Sequence, residues 1–162
     1  MKDRRYDIIQ ELELAGKETI AFFKTLSPAE LDTSVYTDEV QWTVRQVLAH
    51  FITIEKSMHW LFNNILAGGP GAPEDFDITR FNRTQPVKLD GVPMDELIRQ
   101  FEAVRRETGA IVEQMEEADL DRTGRHPWFG QGNLERFIRW AYEHPRLHQD
   151  DVRKALSTEG MG

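Results

Sequence analysis

The chain contains no cysteine. It therefore has no disulfide framework, no thiolate zinc site and no cysteine nucleophile, and any thiol chemistry would need a thiol from outside the protein. This suits a reducing cytoplasm, the compartment expected here. Positive charge is also scarce: 20 lysines and arginines face 28 aspartates and glutamates, for a net charge of −8. Nucleic-acid phosphates and anionic membrane surfaces both call for a concentrated basic face, so neither is an expected partner. No apolar run approaches the roughly 20 residues needed to span a bilayer. Met1 to Ile9 lack the apolar stretch of a secretory signal. Internal repeats and low-complexity tracts are absent, and nothing alternates as a strand does beyond short pieces of loop.

What the chain does have is helical patterning over 162 residues, of which 40% are hydrophobic and 30% charged. That length is one ordinary domain, spanning 1–162. The first periodic segment runs from about Arg4 to Thr25, with Ile8, Ile9, Leu12, Ala15, Ile20 and Phe23 on one face. Ser27-Pro28-Ala29-Glu30 has the form of a capping box that starts a short turn. The second long helix starts at Thr43, with Gln46 three residues on, and stops near Ala67 before Gly68-Gly69-Pro70. The third runs from Pro93 to about Ala118, with Arg105-Arg106-Glu107 read as part of a solvated face. After a turn-rich stretch, Asn133 caps a fourth helix reaching about Leu156. This is an all-α four-helix bundle with a long crossover, Gly68 to Gly91, between helices two and three. The crossover is either a lid over a pocket or a plain span across the bundle end. Short links elsewhere would make the helices they join antiparallel neighbours.

The sharpest chemical signal is histidine. His144 and His148 are four apart on the last helix, so they lie within about 40° of each other on one face. Two imidazoles in that arrangement can clasp one metal ion. Leu134, Phe137, Ala141, Val152 and Ala155 share the stripe, which turns the pair toward the bundle interior. His50 points coreward from the second helix, either as a third ligand or as a hydrogen-bonded core histidine. His59 lies half a turn round from His50 and reads as a surface or packing residue. Three histidines suit zinc, nickel, iron, manganese or cobalt and leave a coordination position open, as catalytic sites require. Pro145 removes a backbone donor beside His144 and clashes with the carbonyl of Ala141, so the helix either kinks there or restarts near Glu143. Asp151 lies close to the ligand face, whereas Glu143 points elsewhere. Glu55 is a further carboxylate, of the kind usually solvated. Trp128 and Phe129, with His126, form either the mouth of a pocket or a packed aromatic corner carrying an exposed histidine.

Three stretches resemble the DinB-like superfamily, which includes YfiT-type metal-dependent hydrolases and bacterial thiol transferases. They are Trp42-Thr43-Val44-Arg45-Gln46-Val47-Leu48-Ala49-His50 at the start of the second helix, Phe81-Asn82-Arg83 in the crossover, and His144-Pro145-Arg146-Leu147-His148 on the last helix. The resemblance implies a single metal held by His50, His144 and His148, with zinc and nickel the leading candidates. It also implies a small-molecule substrate, a low-molecular-weight thiol such as bacillithiol or mycothiol as possible co-substrate, and a homodimer. Pro145 departs from the helix-forming residue of many relatives. The expected activity is a metal-dependent transferase or hydrolase acting on a small thiol or its conjugate. The alternative is a non-catalytic metal-binding or stress-response bundle that mainly dimerises. A ligand-sized cavity beside the histidines would separate the two.

Overall fold

A computed structural model describes residues 3–38 and 40–161. Four long helices form the bundle: α1 (Arg4–Lys24), α3 (Val44–Leu66), α5 (Met94–Gln114) and α6 (Leu134–Met161). Two shorter helices, α2 (Pro28–Leu31) and α4 (Ile78–Thr84), lie in the connections. Two antiparallel hairpins complete the fold, β1–β2 (Ser34–Thr37 with Gln41–Thr43) and β3–β4 (Thr123–His126 with Gly130–Asn133).

The helix starts follow their caps. Thr43 Oγ1 accepts from the Gln46 N–H while Gln46 Oε1 accepts from the Thr43 N–H, the reciprocal pair that defines a capping box. Ser27 and Glu30 make the same exchange at α2. Asn133 Oδ1 accepts from the Arg136 N–H at 2.9 Å and opens α6. The ends differ from the expected ones. α5 stops at Gln114, where Met115 turns extended, and a separate 3-10 turn follows at Glu117–Asp121. α6 runs past Leu156 and continues unbroken through Pro145, so it does not restart near Glu143.

The order of packing also differs from the expectation. α1 packs against α5 and α6, and α3 packs against the same two. Helices consecutive in the bundle, α1 to α3 and α5 to α6, therefore sit across the diagonal. A diagonal step needs a long link, and the two links, residues 25–43 and 115–133, each carry one of the hairpins. Each hairpin feeds directly into a helix: the Val44 N–H donates to the Thr33 carbonyl at 2.9 Å, and the Leu134 N–H to the Arg122 carbonyl at 2.8 Å.

The core is aromatic and aliphatic. Phe51, Phe62, Phe101 and Phe137 are fully buried, each contributing about 1.5–3 kcal/mol through lost apolar exposure. The crossover between α3 and α5 is anchored at its beginning. The Ala72 N–H donates to the Arg125 carbonyl and the Arg125 N–H to the Pro70 carbonyl, both at 2.8 Å. Glycine is required at Gly71, where φ is +91° and a Cβ would stand 2.5 Å from the Arg125 backbone. Gly124 lets β3 lie against α3, since a Cβ there would meet Ile65 Cγ1 at 2.6 Å.

Candidate metal centre

His50 projects from α3 and His144 and His148 from α6, and their ring nitrogens converge within 4.8 Å of one another. His144 Nε2 stands 3.3 Å from His50 Nε2 and 2.8 Å from His148 Nε2. Nitrogens bound at tetrahedral angles to one zinc-like ion, at about 2.0–2.1 Å each, would be separated by roughly 3.3 Å. The first distance matches that spacing and the second is a hydrogen-bond length, so a modest opening of the α6 pair would seat an ion. No other group of three or more ligating side chains so arranged occurs among the described residues.

The proton inventory around His148 decides its tautomer. The Tyr36 hydroxyl lies 2.5 Å from Asp151 Oδ2 and 2.6 Å from His148 Nδ1. It has one proton, and an ionised carboxylate can only accept. Tyr36 therefore donates to Asp151, and His148 must donate its Nδ1 proton to the phenol oxygen. Its Nε2 is left as a bare lone pair aimed at the other two rings. This is the outer support that metal-binding histidines characteristically have. Burial, reinforced by the hydrogen bond to Asp151, raises the Tyr36 pKa and keeps the phenol protonated at neutral pH.

All three rings are held neutral. Burial, helped by the neighbouring His144 and His148, pushes the His50 pKa far down. Burial and His148 lower His144 to about 3. Burial lowers His148 to about 4 against the opposing pull of Asp151. Neutral imidazoles are the form that binds metal. His50 is held differently from His148. The Trp42 ring stacks on it at 4.3 Å, and its buried Nδ1 has no hydrogen-bond partner. The residues present thus fit a divalent transition metal, with ring nitrogens as the only donors and one side of the cluster facing a cavity.

Pro145 sits beside the ligands without ending the helix. Lacking an N–H, it leaves the Ala141 carbonyl without its usual donor four residues on. Arg105 of α5 fills that place, with Nη2 2.9 Å from the Ala141 oxygen. The same guanidinium binds Glu55 through two contacts of 2.9 Å and donates to the Leu12 carbonyl of α1 at 3.0 Å. Arg105 is buried, so the reading of it as part of a solvated face is corrected. Glu55 is likewise buried rather than solvated, and its other hydrogen bond comes from the Thr108 hydroxyl at 2.7 Å. His59 packs beside this cluster, 2.7 Å from Thr108 Oγ1 and apart from the three converging rings.

Asp151 belongs to the centre through Tyr36, whereas Glu143 pairs with Arg136 at 3.1 Å on the exposed side. The histidine beside the aromatic corner is not exposed: His126 is buried against Phe129 and Phe137. Its Nδ1 accepts from the Trp128 and Phe129 N–H groups at 3.0 and 3.2 Å and so shapes the β3–β4 turn. Burial and the nearby Arg136 lower its pKa to about 4. Trp128 is the exposed member, at 71%. Tyr36 and Arg105 escaped sequence reading as site residues. A faint signal for Tyr36 existed, since Ser34-Val35-Tyr36-Thr37 and Gln41-Trp42-Thr43 are rich in β-formers around a short polar link.

The histidines line a cavity of about 1130 Å³. Trp42 and Trp140 flank them, and the β3–β4 turn contributes His126 and Trp128. The crossover forms a further wall through Ala72, Pro73, Phe76, Ile78 and Asn82.

A helical bundle whose three histidines converge beside a ligand-sized cavity defines a class of architecture, and the comparisons name the family. The DinB superfamily profile matches residues 11–151. A protein of Bacillus cereus strain 03BB102, provisionally named a metal-dependent hydrolase, is 26% identical over 152 residues, covering 92% of this chain and 85% of its own length. A similarly named protein of Bacillus mycoides strain KBAB4 is 24% identical, covering 97% and 99%. Among solved structures, YfiT from Bacillus subtilis, described as a probable metal-dependent hydrolase with an unusual four-helix bundle topology, superposes with a TM-score of 0.79 at 18% identity, covering 99% of this chain and 90% of its own. The sibling lethal factor precursor DfsB superposes with a TM-score of 0.71 at 16% identity, covering 98% of each chain. The chain belongs to the DinB superfamily.

Proposed function

We propose that this protein is a metal-dependent hydrolase whose zinc or nickel ion is held by His50, His144 and His148. The observation that carries the reading is the Asp151–Tyr36–His148 chain, which presents a bare Nε2 lone pair to the convergent ring nitrogens. A closed structural cluster would have no use for the adjoining cavity, so the cavity favours an enzyme over a non-catalytic bundle. When bound, the metal supplies Lewis acidity and lowers the pKa of a coordinated nucleophile toward neutrality.

The chain's own residues do the rest. His50 and His144 offer neutral nitrogens, Trp42 fixes the plane of His50, and Asp151 orients His148 through Tyr36. The buried Trp42 ring and the partly buried Trp140 ring limit water beside the histidines and strengthen the local electrostatics there. A second reading, transfer of a small thiol onto an electrophile, is supported by the cavity volume, which has room for both partners. In that case the thiol takes the place of water as nucleophile.

Elemental analysis of protein purified without a histidine tag tests the metal, alongside His148→Ala. The expected result is near one equivalent of transition metal in the wild type and loss of it in the variant. An empty wild type that neither binds added zinc or nickel nor melts at a higher temperature with them would overturn the reading. Turnover of ester and amide substrates with water alone, against turnover that requires an added thiol, separates the two chemistries.

A further inference from the structure

We propose that the part of the substrate remote from the histidines is an uncharged or cationic organic group with a bulky aromatic or aliphatic body, and that an anionic group is selected against there. The inference rests on the hydrolase or transferase reading only for what happens at the histidines. The choice of substrate class comes from the remainder of the cavity.

Two observations carry it. The first is charge. No lysine or arginine is among the described residues lining the cavity, while Asp38 and Asp151 are. Two arginines adjoining the lining residues are paired elsewhere, Arg125 with Glu74 at 2.9 Å and Arg136 with Glu143 at 3.1 Å. A site built for a carboxylate or phosphate places a guanidinium, an ammonium or a helix N-terminus to receive it, and no such side-chain cation faces this cavity. The one buried polar atom in the crossover wall that lacks a partner, Asn82 Oδ1, is an acceptor. As an acceptor it gives an anion no partner.

The second observation is where apolar surface is exposed. Of the seven large hydrophobic side chains exposed among the described residues, Trp60, Phe76, Trp128 and Leu147 line this cavity. Exposed apolar side chains scattered singly need no explanation, but their concentration at one opening marks a binding mouth. Indole rings offer flat apolar area and also attract cations over their faces.

Three probes of one shape and different charge test this: 2-naphthylmethanol, protonated 2-naphthylmethylamine and 2-naphthoate. Each is titrated by calorimetry into chelator-treated protein at neutral pH, in about 0.3 M salt so that the overall negative charge is screened. The alcohol and the ammonium are expected to bind at least tenfold tighter than the carboxylate. Trp128→Ala, an exposed change compatible with folding, is expected to weaken both severalfold. Less than tenfold discrimination, tighter binding of naphthoate, no binding of any probe, or indifference to Trp128→Ala would each overturn the proposal. Zinc added alone to the same sample, read as a thermal shift, tests the metal reading separately. Discrimination without a zinc response would sink the metal centre and leave the substrate class standing, and the reverse result would do the opposite.

Discussion

Two polar clusters share α3, where Glu55 and His50 stand five residues apart, and draw their other helical side chains from α5 and α6 respectively. Around Glu55, every group in the network has a partner: Arg105 binds the carboxylate at two points, Thr108 supplies a third hydrogen bond, and the remaining guanidinium donors reach the Leu12 and Ala141 carbonyls. Around His50, the Nε2 atoms of the three rings have only one another as partners, the buried His50 Nδ1 has none, and one side opens on a cavity. A satisfied buried network ties helices together, here α1, α3, α5 and α6. A cluster of neutral ring nitrogens that faces a cavity has the donors a metal-binding site needs. The two are also linked, because Arg105 repairs the helix at the carbonyl that Pro145 orphans, one turn before His144.

The largest expected effect breaks the closed cluster. Arg105→Met strands the Glu55 carboxylate and should cost about 3–5 kcal/mol in urea unfolding, whereas Glu55→Leu combined with Arg105→Met should recover much of the loss. If the single and double variants are equally destabilised, the ion pair is not what the site depends on. Pro145→Ala sharpens the link between the clusters. It restores an N–H for Ala141, so the cost of losing Arg105 should shrink by about 1 kcal/mol in that background, with a matching recovery of metal affinity.

Acid should act on the open cluster and its surroundings. His126 titrates near 4 in the folded protein because burial disfavours its charge. The unfolded chain protonates the same ring near its ordinary value of 6.5. Below that value the unfolded state binds more protons, so stability is full above about 6.5 and falls as the pH drops toward 4, by about 3 kcal/mol from this ring. His144 and His148 shift in the same direction. Thermal melts of metal-free protein from pH 7.5 to 4.5 check this, and a flat profile would contradict it. His126→Gln should flatten the profile in part.

The smallest effect separates support from ligation. Tyr36→Phe removes the oxygen between His148 and Asp151 and should weaken zinc or nickel binding about 10–100-fold without abolishing it. Loss as complete as in His148→Ala would mean that Tyr36 does more than orient a ligand.

Much of the frame was legible because it is local. The capping pairs Thr43–Gln46 and Ser27–Glu30 and the Asn133 cap are read from spacing alone, since each hydrogen bond spans three residues. The His144–His148 pair is legible for the same reason, because helical geometry alone puts residues four apart on one face. The resemblance added His50 to that pair. The hairpins were harder to see, being short and polar where they turn.

What the sequence by itself determined, then, is four amphipathic helices, their starts and the two histidines that share a helix face, all products of interactions within a few residues. Only the tertiary structure decided that α1 to α3 and α5 to α6 step across the diagonal, that Arg105 and Glu55 are buried partners rather than solvated charges, and that Tyr36 reaches His148 from 112 residues away. The physical reason is that a charged or hydroxyl side chain looks the same in sequence whether water or a partner satisfies it. Which of these satisfies it depends on how the helices pack, a choice that no local pattern records.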